Sequence, residues 1–101
     1  MKFMALLTPT AQRSREEFEP HKVEEEIHLW LSYRDGYLRE FYFQPQPTVI
    51  TLIYEVESAV AVIAELDSLP MVKTGLLDRQ VVHLGPWIPL EDIFDKSTRN
   101  W

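Results

Sequence analysis

The chain of 101 residues has no cysteine, three glycines, and ten basic side chains against sixteen acidic ones, for a formal charge of -6. Each shortage excludes something. Without a thiol there is no disulfide, no iron–sulfur ligation and no cysteine nucleophile, whatever the compartment. Gly36, Gly75 and Gly85 are too few and too scattered for a phosphate-cradling loop or a dinucleotide fingerprint, and no nucleophile elbow occurs. No cofactor is expected. The acidic balance repels phosphate backbones and leaves no basic stripe to release counterions, so neither nucleic acid nor an anionic membrane is an expected partner. The apolar opening Met1-Lys2-Phe3-Met4-Ala5-Leu6-Leu7 is too short for a signal h-region, and Thr8-Pro9 interrupts it without a cleavage pattern. It reads as the first strand of a cytoplasmic protein.

The 46% hydrophobic and 26% charged content fits one globular domain, read here as residues 1–94 with a tail at 95–101. From about Arg13 to Tyr33 a charged segment carries helical spacing. Val23, Ile27, Trp30 and Leu31 fall at i, i+4, i+7 and i+8, which predicts a core-facing stripe. Pro20 fits the first turn of the main helix, with Glu16, Glu17 and Glu19 near the positive end of its dipole, and Gly36 ends it. Tyr37 to Gln44 alternates as a strand, with Leu38, Glu40, Tyr42 and Gln44 on one face and Tyr37, Arg39, Phe41 and Phe43 on the other. Gln44-Pro45-Gln46-Pro47 turns the chain. Thr48 to Val56, rich in β-branched residues and apolar on both faces, is a central strand. Ser58 caps a second helix that faces the core with Ala59, Val62, Ile63 and Leu66, and Leu69-Pro70 stops it. Leu76 to Leu84 is the last strand, closed by Gly85-Pro86.

The order β-α-β-β-α-β is the split unit of a ferredoxin-like α+β fold, a four-stranded antiparallel sheet with two helices on one face. The other face would carry Val49, Thr51 and Ile53, or Ile50, Leu52 and Tyr54, and either set is too apolar to leave wet. Pairing with another copy, as a homodimer or higher oligomer, is the expected cover. Ile88, Leu90, Ile93 and Phe94 are expected to dock on a neighbour or on their own domain, before the chain frays from Lys96 to Trp101.

The stretches EEFEPHKVEEE, YRDGYLREFYFQPQP and YEVESAVAVIAELDSLPMVKTGLLDRQVVHLGP resemble the muconolactone isomerase-like family of the dimeric α+β barrel superfamily, over about residues 1–94. The resemblance implies sheets paired into a barrel, frequent further assembly, and a proton shift within an unsaturated lactone or related carbonyl compound bound in the barrel cavity. As alternatives it admits non-catalytic barrels that bind a ligand or serve assembly, and cofactor-free monooxygenases. Its motifs are architectural, and no short catalytic signature transfers with them.

A proton shift between carbons needs a base, a donor or cation to hold the enolate charge, and exclusion of water. His83 is a candidate base or acid, with an ordinary pKa near ~6.5 that small changes tune; its structural alternative is a hydrogen-bonded rim histidine. Glu55, in an apolar strand, is a candidate base if burial raises its pKa, and otherwise an exposed or arginine-paired strand end. Arg39 is a candidate for holding a carboxylate or enolate through two hydrogen bonds, or else a cross-strand partner of Glu55. Tyr54 and Tyr42 are candidate substrate-binding donors from an apolar wall, or packing surface. His21, Glu25 and His28 fall at i, i+4 and i+7. A carboxylate-bridged metal bundle needs a second Glu-x-x-His, so this row reads as a solvated acidic face and no metal is expected.

Overall fold

The computed structural model describes residues 1–87 and 93–95. The chain runs β1 (Lys2–Pro9), α1 (Arg15–Phe18), a 3-10 turn (Glu19–His21), α2 (Lys22–Arg34), β2 (Leu38–Pro45), β3 (Thr48–Glu55), α3 (Ala59–Asp67), α4 (Pro70–Lys73) and β4 (Leu77–Leu84). All four strands pair antiparallel in the order β2-β3-β1-β4. This is the expected ferredoxin-like α+β arrangement. Among the described residues no helix is long and apolar enough to cross a membrane.

Alternation along the strands decides the two faces of the sheet. Phe3, Ala5 and Leu7 of β1, Leu52 and Tyr54 of β3, and Leu77 of β4 are buried against Val62 and Leu66 of α3 and Met71 of α4. On the opposite face Met4, Leu6, Thr51, Ile53 and Val82 are only half-buried. The register places Ile53 beside Met4 and Met4 beside Val82, so these three side chains form an apolar row across β3, β1 and β4 that ends at Glu40 on β2, with Thr51 and Gln80 beside Leu6 in the next row.

Local chemistry sets the helix ends. Ser14 and Glu17 form a capping box on α1, with the Ser14 N–H donating to Glu17 Oε2 at 2.9 Å. The Ser58 hydroxyl oxygen accepts the Ala61 N–H at 3.1 Å, as its position before α3 leads one to expect. Gly36 closes α2 at φ +87°, where a side chain would be strained, while the Tyr37 N–H returns to the Ser32 carbonyl. Pro20 falls in the 3-10 turn and not in the first turn of α2. It has no N–H to continue a ladder, and the expected single helix is broken there into α1, the turn and α2. The second helix, α3, ends at Asp67, just ahead of Leu69-Pro70 as expected, and Pro70 is the first residue of α4.

Two expected faces are corrected. The stripe Val23, Ile27, Trp30, Leu31 points outward, at 68%, 51%, 59% and 38% exposure, while Glu25 and Ser32 are buried beneath α2 and Leu29 packs on the core. Helical periodicity identifies a stripe but not the direction in which it faces, and here the stripe with more polar residues is inside. On β2, a bulge between Leu38 and Glu40 inserts Arg39 as an extra residue. Leu38 therefore shares the helix-covered face with Phe41 and Phe43, while Glu40, Tyr42 and Gln44 lie on the open face. Of the expected docking tail, Ile88, Leu90 and residues 96–101 lie outside the described residues; Ile93 and Phe94 are exposed.

Candidate functional site

A cleft of about 880 Å³ opens between α1 and α2 on one side and β2 and β3 on the other. Phe18, Leu29, Phe41, Phe43, Ile50, Leu52, Met71 and Leu77 give it an apolar wall. Glu25 enters that wall from α2 with 4% of its surface exposed. Its Oε1 accepts the backbone N–H of Met71 at 2.9 Å, and its Oε2 is buried with no hydrogen-bond partner among the described residues. Burial outweighs the Met71 hydrogen bond and the nearby His28 and His21, and pushes the Glu25 carboxyl above its ordinary range. The expectation of a solvated acidic face fails at this residue, while His21 and His28 are half-buried. Among the described residues no group of three or more His, Cys, Asp or Glu is placed to hold a metal ion.

The local reason for Glu25's position lies in α4. This short helix begins at Pro70, and Leu69, its N-cap residue, offers no side-chain acceptor. The Met71 N–H is one of the orphan donors at a helix start, and Glu25 supplies the acceptor across the core. One oxygen is therefore used structurally, and the other is buried without a partner among the described residues. A carboxylate of raised pKa with an unpartnered oxygen beside an apolar cleft has the attributes of a general acid or base once a substrate reaches it.

The five residues singled out from the sequence do not converge. His83 pairs with Phe3, which pairs with Tyr54, so both candidates lie in one row on the helix-covered face. His83 is on the edge strand and exposed, and its ring packs 5.0 Å from that of Phe3. Tyr54 is completely buried, and desolvation together with the charges of Glu65 and Glu25 pushes its phenol upward. The Glu55 side chain is 42% exposed as a whole and lines a second hollow, with Oε1 4.0 Å from the terminal ammonium of Met1 and Oε2 buried without a hydrogen-bond partner among the described residues. It does not pair with Arg39. The Arg39 Nε–H donates to the Gly36 carbonyl at 2.6 Å from the bulge, on the edge strand opposite His83. Three strand spacings separate those edges, about 14 Å. Tyr42 donates to Glu40 Oε1 at 2.7 Å and is the one member of the five that lines the cleft.

This second hollow, of about 580 Å³, lies at the other end of the helical layer, among Met1, Tyr37, Glu55, Glu57 and Glu65. Ser32, buried, donates to Glu65 Oε2 at 3.3 Å from α2 to α3. This hollow is more polar and wider open than the cleft beside Glu25.

The fold and the apolar cleft with one buried carboxylate define a ferredoxin-like α+β domain with room for a small organic molecule. No family model and no curated protein matches the chain. Among solved structures, the fold is similar to that of 5-chloro-2-hydroxyhydroquinone dehydrochlorinase from Burkholderia phenoliruptrix AC1100, in complex with 2,5-dihydroxybenzoquinone. The TM-score is 0.71 at 17% identity, over 84% of this chain and 94% of the dehydrochlorinase. At that identity the likeness is one of fold alone.

Proposed function

We propose that this protein is a small-molecule enzyme that shifts a proton within an unsaturated lactone or related cyclic carbonyl compound, in the manner of the muconolactone isomerase-like proteins it resembles. The observation that carries the reading is Glu25, buried beside an apolar cleft with one carboxylate oxygen unpartnered among the described residues. In this reading Glu25 Oε2 takes a proton from the saturated carbon at the far end of the C=C–C=O system, and the electron pair of that C–H bond shifts through the double bond onto the carbonyl oxygen as a dienolate. The same carboxyl returns the proton to the carbon beside the carbonyl, and the double bond moves one position. A carboxyl with a raised pKa suits both halves, because its proton affinity lies nearer that of the enolate it serves.

The fold neighbour acts on a hydroxylated ring compound and holds a quinone, as its description states, which agrees in size and flatness with a molecule held between Phe18, Phe41 and Phe43. The working form proposed is a cytoplasmic homodimer, paired through Met4, Leu6, Ile53 and Val82 on the open face, because apolar side chains in adjoining rows are costly to leave in water. A non-catalytic ligand-binding role is the second reading, favoured by one observation: Glu25 Oε1 already serves as the acceptor for α4.

Trial turnover of muconolactone by the purified protein, with Glu25→Gln and His83→Ala side by side, separates the alternatives. The proposal expects turnover that falls by roughly 10²-fold or more in Glu25→Gln and changes little in His83→Ala. Loss in His83→Ala alone assigns the chemistry to His83. Binding without turnover supports the ligand-binding role.

A further inference from the structure

We propose that Arg13 is the anion-binding residue of the cleft, and that the molecules the cleft takes are flat apolar rings carrying one ionised oxygen. This rests on the cleft being a ligand site and names the class of ligand. Arg13 lies between β1 and α1 and lines the same cleft as Glu25. Its guanidinium is held in place: Nη2–H donates to Thr10 Oγ1 at 2.6 Å and to the Gly75 carbonyl at 3.4 Å, and Nη1–H donates to Glu17 Oε1 at 3.4 Å. Thr10 is itself tied to the Gly75 carbonyl at 2.8 Å, so the group is anchored to the start of β4 and has little freedom to turn away.

The Nε–H is buried and has no acceptor among the described residues. A donor on a charged group left unpaired away from water carries the full cost of its desolvation, and an acceptor brought by a ligand recovers that cost. Both arginines on the cleft have a carboxylate neighbour, Arg13 with Glu17 at 3.4 Å and Arg15 with Glu19 at 3.5 Å. Arg13 is the less exposed, at 26% against 86%, so water screens its charge less than that of Arg15.

The aromatic residues complete the preference. Phe41 and Phe43 stand on the cleft wall with 54% and 68% of their surface open, a poor arrangement in water and a good one against a ring. Glu25 disfavours a second negative charge near itself, so one ionised oxygen held at Arg13 is accepted where two are not. In the proton shift, the same guanidinium would hold the enolate oxygen, the part that sequence reading gave to Arg39.

The test compares para-hydroxybenzoate with its neutral isostere para-hydroxybenzamide by isothermal titration calorimetry of the full chain. The anion is expected to bind roughly tenfold or more tightly, as a charge-assisted hydrogen bond provides. Arg13→Met is expected to remove that preference, weakening the anion far more than the amide, which loses only a neutral acceptor's hydrogen bond. Equal binding of the two probes by the wild-type protein, or an undiminished preference in Arg13→Met, overturns the proposal. Where Arg13→Met does not fold, the wild-type preference is read at low and high salt: a preference that shrinks with salt supports an ionic contact, and one that does not contradicts it. These probes undergo no proton shift, so failure of the isomerase reading leaves the anion preference intact, and the two failures are told apart.

Discussion

Glu25 Oε1 and the Met71 N–H meet at 2.9 Å across 46 residues of sequence, and this contact joins the middle layer of the protein to its candidate chemistry. It fixes α4 under α2 and holds one carboxylate oxygen still, while the other faces no partner among the described residues. Glutamine preserves the accepting oxygen and removes the charge. We therefore expect Glu25→Gln to fold with a melting temperature at or above that of the wild-type protein near neutral pH, and Glu25→Ala to lose about 1–3 kcal/mol by orphaning the Met71 donor. Thermal unfolding of both variants checks the contact.

The direction of the Glu25 shift sets a pH dependence. Its folded-state pKa lies above the ordinary 4.5, so between the two values the native state binds more protons than the unfolded state. Stability from this group is fully present below about 4.5 and is lost as pH rises through the folded value, beyond which it changes no further. His21 and His28 on α2 moderate the shift, and Tyr54 faces the same region from β3. Urea unfolding across the acidic range should show Glu25→Gln gaining on the wild-type protein as pH rises. A constant difference would contradict the buried placement.

The inverted orientation of α2 makes a contrast between neighbouring side chains. Leu29 packs on the core, whereas Ile27 is 51% exposed. Leu29→Ala should cost about 2 kcal/mol or more, and Ile27→Ala about 0.5 kcal/mol or less in the isolated protomer. Chemical denaturation of the pair reports the orientation of the helix without reference to any activity.

Ser58 offers a calibration of local stability. Its hydroxyl oxygen accepts the Ala61 N–H at 3.1 Å. Ser58→Ala should lower stability by about 1 kcal/mol, read as a fall of roughly 4–8 °C in melting temperature.

Pairing through the open face of the sheet is tested at Ile53, which sits beside Met4 in the apolar row. Ile53→Asp places a charge there and should give a monomer in sedimentation velocity while leaving the helix-covered core folded. A wild-type protein that is monomeric in dilute solution removes the dimer from the proposal.

Much of the architecture is written in the sequence because strand alternation and helix caps are local. The strand read as Thr48 to Val56, observed as Thr48–Glu55, the Ser58 cap and the Gly36 stop follow from the residues themselves, as does the antiparallel ferredoxin-like arrangement once β-α-β-β-α-β is recognised. What a local pattern does not specify is which way an ambiguous element faces. In α2 the stripe of Val23, Ile27 and Trp30 is apolar enough to read as core, yet the packing of α4 needs an acceptor at Glu25, and the helix is rotated accordingly. The bulge at Arg39 has no local signature either, and it reverses the faces of the residues around it.

The candidate site was the less legible part for the same reason. His83, Glu55, Arg39, Tyr54 and Tyr42 are chemically suitable residues on strands, but suitability does not bring side chains to one place, and the sheet distributes them over two faces and both edges. Glu25 was visible as one member of a row with His21 and His28. Its importance arises from a contact 46 residues away, which periodicity does not record.

The most direct test of the account is carbon NMR of the glutamate side-chain carboxyls, followed through a pH titration with and without para-hydroxybenzoate. One resonance, absent from Glu25→Gln, should titrate above 4.5 and move when the probe binds. A Glu25 carboxyl that titrates at or below 4.5, or that does not respond to saturating probe, would contradict the claim that this buried carboxylate is the working group of a ligand-binding cleft.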